Sequence, residues 1–162
     1  MTNAVFIDTW GWLTLNDAGE RRHQEVAELY RTLIVQNTLC YTTSFVLDET
    51  FTLFFKRLNS YQAQQAMLQL SAAFSTDSFQ LIYIDERRFA QAQTLRLKYI
   101  DKPQISFTDL TSMVVMQEFN LQRVVTEDAH FVQGGFFGTF RVSDFNKDVQ
   151  SVITPLDVND IS

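Results

Sequence analysis

Four carboxylates in this chain have the types and positions to do chemistry together. Asp8 ends the apolar run AVFI at 4–7, and Asp128 follows the run VVT at 124–126 with Glu127 between them. Glu49 lies in SFVLDETFTLFFKRL at 44–58, where Phe45 and Leu53 share its helical face, whereas Asp48 lies between Ser44 and Thr52. Asp109 is followed by Met113 and Met116 at i+4 and i+7. A carboxylate among apolar side chains is costly without a partner, and four converging on one spot repel unless a cation neutralises them. Hard oxygen donors, without a Cys cluster or paired His, favour Mg²⁺ or Mn²⁺ over zinc. Such an ion activates water and steadies charge on a phosphoryl group, the chemistry of phosphodiester hydrolysis. The residues alone leave a second reading open, with Asp109 as a helix-capping acid and Asp128 as a turn residue.

The elements that must position these acids alternate. AVFID reads as a buried strand, and ERRHQEVAELYRTLIVQ at 20–36 as an amphipathic helix with Val26, Leu29, Tyr30, Leu33 and Ile34 at helical spacing. LCYTT is a second strand, followed by a helix over 44–58 with Ser44 as its N-cap. Residues 60–74 are helical by propensity, FQLIYI at 79–84 is a strand, and 86–99 is a helix capped by Asp85. Ser106 and Asp109 are spaced as a capping pair for the next helix. QRVVT at 122–126 is a strand, and a short strand within 140–145 closes the sheet. This order predicts an α/β fold with a mostly parallel sheet covered on both faces. Ligands in such folds sit at the carboxyl ends of the strands, where Asp8 and Asp128 fall.

The chain has 162 residues, 46% hydrophobic with 15 Phe, enough for one domain with a sizeable core. The domain is expected over 1–146, with a tail over 147–162. A net charge of −6 argues against binding nucleic acid through a general basic surface, but not against a metal-dependent enzyme whose carboxylates await a cation. The single cysteine, Cys40, excludes an internal disulfide and reads as core. With no signal peptide and no apolar run of ~20 residues, the default expectation is a cytoplasmic protein without a membrane span.

In sequence, FIDTW with Asp8, TTSFVLDET with Glu49, SFTDLTSMVVM with Asp109 and VVTEDAHF with Asp128 resemble the PIN-domain ribonucleases, in particular toxins of the VapC type. The resemblance implies a three-layer α/β/α sandwich with about five parallel strands and a Mg²⁺ (or Mn²⁺) site made by Asp8, Glu49, Asp109 and Asp128. It also implies an RNA substrate, homodimerisation and inhibition by a small antitoxin that sets a basic side chain against the carboxylates. Thr126 matches the supporting hydroxyl residue of the family, and His130 and Phe131 match its turn, with Glu127 facing solvent. Trp10 and Trp12 stand where smaller residues are usual and read as core or dimer contacts more than stacking platforms. The FTLFF run at 51–55 reads as core or a dimer face, His23 as a surface residue, and QGGFFG at 133–138 as a turn. Arg87, Arg88 and Lys98 are candidate phosphate contacts that nothing singles out. The rival reading is a non-catalytic PIN-like binding protein. An aspartyl-phosphate enzyme is disfavoured because Trp10 stands where that chemistry needs a second Asp.

Overall fold

Strand β1 (Ala4–Ile7) lies at the centre of a five-stranded, wholly parallel sheet ordered β3-β2-β1-β4-β5 in a computed structural model that describes residues 3–127 and the backbone of 140–141. The other strands are β2 (Leu39–Thr43), β3 (Phe79–Ile82), β4 (Val124–Thr126) and β5 (Phe140–Arg141). The helices are α1 (Thr9–Asn16), α2 (His23–Val35), α3 (Ser44–Arg57), α4 (Ser60–Ala73), α5 (Glu86–Lys98) and α6 (Phe107–Glu118). The expected positions of Asp128, His130, Phe131, the turn at 133–138 and the tail from Lys147 lie outside the described residues.

All four residues of β1 are buried, as a strand covered on both faces requires. The chain adds β2 and β3 on one side of β1, then β4 and β5 on the other. The order therefore reverses between β1 and β4, and a crevice opens at the carboxyl ends of those two strands. Phe6 faces Val124 and Ile7 faces Val125 across the pair, so Asp8 and Thr126 emerge side by side.

Helix α1 is absent from the sequence expectation. It is short, and Gly11, Trp12, Leu13 and Thr14 are buried in succession, so it carries no apolar–polar period to read. Gly11 is needed there, because a Cβ would stand 2.8 Å from Ile7 Cγ2 and 3.2 Å from both Val125 Cγ1 and the Val125 carbonyl. Its bareness lets α1 lie directly on β1 and β4. Trp12 is 1% exposed and donates its indole N–H to Thr42 Oγ1 at 3.2 Å, and that hydroxyl donates to the Ile7 carbonyl at 3.0 Å.

The helix read over 20–36 begins later, at His23, because Asp17 organises a turn: its carboxylate accepts from Gly19 N–H at 2.9 Å and its carbonyl from Glu20 N–H at 3.1 Å. His23 is half-buried and meets the Thr14 carbonyl through Nδ1 at 2.9 Å. The cap of α3 is Thr43, not Ser44: Thr43 Oγ1 accepts from Val46 N–H at 3.1 Å. Ser44 is the first helical residue, and its Oγ accepts from Ile84 N–H at 3.0 Å, tying α3 to the end of β3. Asp85 and Ser106 cap α5 and α6 as expected. In the FTLFF run Phe54 is fully buried and Phe55 is 49% exposed. Cys40 is fully buried, and burial pushes its thiol up to about 12. Among the described residues, no helix is long and apolar enough to cross a membrane.

Arg87 and Arg88 are engaged in packing. Both donate to Glu118, Arg88 through Nε at 2.7 Å, and Arg88 also reaches Asp85 and the Tyr83 carbonyl, clasping α5 to α6. The hydrogen bond from Arg88 holds the Glu118 carboxyl below its ordinary value. A depressed acid contributes stability that is complete above its unfolded pKa and is lost as pH falls through the folded one. Glu118→Gln is therefore expected to cost about 1 kcal/mol at neutral pH. In urea unfolding the gap from wild type should close in acid, below the depressed value; a gap independent of pH would show that the charge contributes nothing.

Candidate active site

Asp8 and Asp109 are placed by helix starts, and Glu49, in mid-helix, is held by a hydroxyl next to Asp8. Asp8 leaves β1 in extended conformation and caps α1, its Oδ1 accepting from Gly11 N–H at 3.1 Å; the residue is 7% exposed. The adjacent Thr9 donates its hydroxyl to Glu49 Oε2 at 2.9 Å, which ties the middle of α3 to the end of β1. Glu49 is half-buried, so the lone carboxylate expected among apolar neighbours has a hydroxyl partner instead. Asp109 is half-buried in the first turn of α6, where its backbone N–H donates to Ser106 Oγ at 3.1 Å.

Asp8, Glu49 and Asp109 line one cleft of about 670 Å³ at the switch point between β1 and β4. Asp128 lies outside the described residues, but Glu127 before it lines the same cleft, and Thr126 is fully buried at the end of β4. Glu127 is exposed, as expected, yet paired: Arg22 donates to it and to Glu25. The Arg22 guanidinium sits 5.9 Å from the centre of the Trp10 ring, which forms part of the cleft wall. The two tryptophans thus divide their roles, Trp12 in the core and Trp10 at the site.

Ser112 was not anticipated. It stands one turn after Asp109, lines the cleft, is 1% exposed, and its hydroxyl has no hydrogen-bond partner among the described residues. A buried orphan hydroxyl beside three carboxylates fits a site that receives a hydrated cation, since such groups otherwise bind protein or water. The i, i+3 spacing from Asp109 was the signal available in the sequence. The oxygen donor set fits Mg²⁺ or Mn²⁺. Among the described residues, however, no three Asp, Glu, His or Cys side chains close around a single ion position.

A parallel sheet in this order with an acidic cleft at its switch point defines the class: the chain belongs to the PIN domain family, whose model matches residues 5–136. PIN-domain nucleases in general depend on a divalent metal. Within the family the chain is similar to the 23S rRNA-specific endonuclease VapC20 of Mycobacterium tuberculosis, at 28% identity over 132 residues that cover 82% of this chain and 95% of that protein. The crystal structure of VapC20, described as a sarcin–ricin loop cleaving toxin, superposes with a TM-score of 0.70 at 26% identity, covering 82% of this chain and 95% of that one. Two more distant structures share the fold. VapBC2 from Rickettsia felis, bound to a promoter DNA fragment, gives a TM-score of 0.62 at 16% identity, covering 85% of this chain and 98% of that one. FitAcB from Neisseria gonorrhoeae gives 0.59 at 15%, covering 86% and 98%.

Proposed function

We propose that this protein is a metal-dependent endoribonuclease that hydrolyses RNA phosphodiester bonds and acts as the toxin of a toxin–antitoxin pair. The observation that carries the reading is the meeting of Asp8, Glu49 and Asp109 in one cleft at the β1–β4 switch point. It is supported by similarity to a 23S rRNA-specific endonuclease along most of both chains. Asp8, Glu49, Asp109 and Asp128 would hold Mg²⁺ or Mn²⁺. When bound, the ion supplies the positive charge that activates an attacking water and stabilises charge on the phosphoryl oxygens.

The chain's own part is to keep its oxygens fixed. Gly11 N–H holds one oxygen of Asp8 at the start of α1, and Thr9 holds one oxygen of Glu49. Ser112 Oγ is buried at the cleft wall without a partner among the described residues, and Thr126 is fully buried at the end of β4. A small antitoxin laying a basic side chain over the carboxylates would silence the site. A cytoplasmic homodimer is part of the same reading.

The test is to incubate purified protein with total RNA in Mg²⁺, in Mn²⁺ and in EDTA. Cleavage at discrete positions with either metal, abolished by EDTA, supports the nuclease. Binding without cleavage in both metals would favour a PIN-like binding protein instead.

A further inference from the structure

We infer that the RNA strand leaves the carboxylate cleft over Arg57, and that a nucleotide beyond the cut site settles in a second groove floored by α4, with its base on Tyr61. This rests on the nuclease reading and adds where the rest of the substrate goes.

Among the described residues that line the carboxylate cleft, Arg57 is the only Lys or Arg. Glu49, Leu53 and Arg57 follow one another at i, i+4 and i+8 along α3, and all three line the cleft. At 1.5 Å per residue the arginine lies about 12 Å along the helix from Glu49, far enough to meet a phosphate other than the one being cut. Its side chain is 48% exposed and is braced by Glu20 Oε1 at 3.2 Å. An exposed pair of this kind contributes little to stability, so an incoming phosphate can take the guanidinium at small cost and hold it with two parallel hydrogen bonds.

The ion pair also marks a boundary. A second groove of about 330 Å³ is lined by Gly19 and Leu58, the chain neighbours of Glu20 and Arg57, which sets the Arg57–Glu20 pair beside it as well as beside the carboxylate cleft. The second groove has a different chemistry. Its wall presents Gln62, Gln65 and Gln69, which recur at i, i+3 and i+7 along α4, with Asn16 opposite. No Lys or Arg is among the described residues that line it, and its one acid, Asp17, already accepts from Gly19 N–H. Carboxamides offer both donors and acceptors and suit a base edge better than a phosphate. Tyr61, at the mouth, is 72% exposed, an aromatic face of the kind on which unpaired bases stack.

The test uses full-length protein made catalytically silent by Asp8→Asn, in Mg²⁺ buffer, with two labelled RNAs: a stem-loop of the sarcin–ricin sequence and an unrelated single strand of equal length. The dissociation constant is measured against salt for this protein alone and with Arg57→Ala, Glu20→Ala or Tyr61→Ala added. Arg57→Ala is expected to weaken binding about tenfold and to reduce the slope of log Kd on log salt by about 0.7, the loss of one single-strand phosphate contact. Glu20→Ala should tighten binding, because it releases the same guanidinium. Tyr61→Ala should weaken binding by about tenfold with the salt slope unchanged, as the loss of one stacked base would. A purely structural ion pair predicts instead that Arg57→Ala and Glu20→Ala act in the same direction, and that result overturns the inference. So does RNA binding indifferent to all three changes. If the silent protein binds neither RNA and the wild type cleaves none, the nuclease reading falls first and the inference with it. Cleavage by wild type with a KM that Arg57→Ala and Tyr61→Ala leave unchanged removes the inference alone.

Discussion

Replacing Asp8 with Asn is expected to lower kcat/KM for RNA cleavage by about three orders of magnitude while leaving the melting temperature close to that of the wild type. The fold should survive because Asn caps a helix as well as Asp does, and its carbonyl oxygen can keep the 3.1 Å bond from Gly11 N–H. What disappears is one negative oxygen at the end of the central strand. Charge stabilisation by a bound metal is worth several kcal/mol, and each ~1.4 kcal/mol is a factor of ten in rate. Glu49→Gln should follow the same pattern, since an amide oxygen still accepts from the Thr9 hydroxyl. Steady-state cleavage and thermal melts on the same preparations provide the check. An Asp8→Asn protein as active as the wild type would mean that the cleft acids do not carry the reaction.

The second large effect is on stability. Trp12→Ala should cost ~3–5 kcal/mol, the usual range for removing a large aromatic from a core. That is a large part of the ~5–15 kcal/mol that holds a domain folded. Trp12 is 1% exposed and packs against Phe74 and Phe79, with ring centres 6.4 and 6.3 Å away. Trp12→Phe keeps much of the ring and loses the indole bond to Thr42, a change of about 1 kcal/mol. Urea unfolding of the two variants separates packing from hydrogen bonding. If Trp12→Ala unfolds at nearly the wild-type midpoint, the ring is not the core element its burial indicates.

The two tryptophans also show where reading the sequence works and where it stops. Strands β1, β2 and β4 were legible because a wholly buried strand is a short apolar run, and the four acids stood out by falling at the ends of such runs or on the apolar face of a helix. Asp8, Glu49 and Asp109 line one cleft, and Asp128 lies outside the described residues. Helix α1 escaped because Gly11 and its neighbours are buried on every side, which erases the period that reveals an amphipathic helix. Thr43 and Ser44 are both good caps, and the choice between them depends on where β2 ends, which pairing with β3 decides. Ser112 looked like any small residue in a core helix until its hydroxyl was found without a partner among the described residues. Likewise Arg57 and Arg88 cannot be told apart by composition. Only the fold clamps one to Glu118 and leaves the other on the cleft wall.

The placement of β4 beside β1 has a consequence for how such a protein comes to exist. Phe6 finds its partner Val124 only after most of the chain has been made. At the ~5–20 residues per second of synthesis, the first strand waits on the order of ten seconds for the neighbour that completes the crevice, and contacts so distant in sequence form late and slowly. Until then the crevice that gathers Asp8 and the end of β4 is incomplete. Any inhibitor has that interval in which to arrive before the first RNA can be cut.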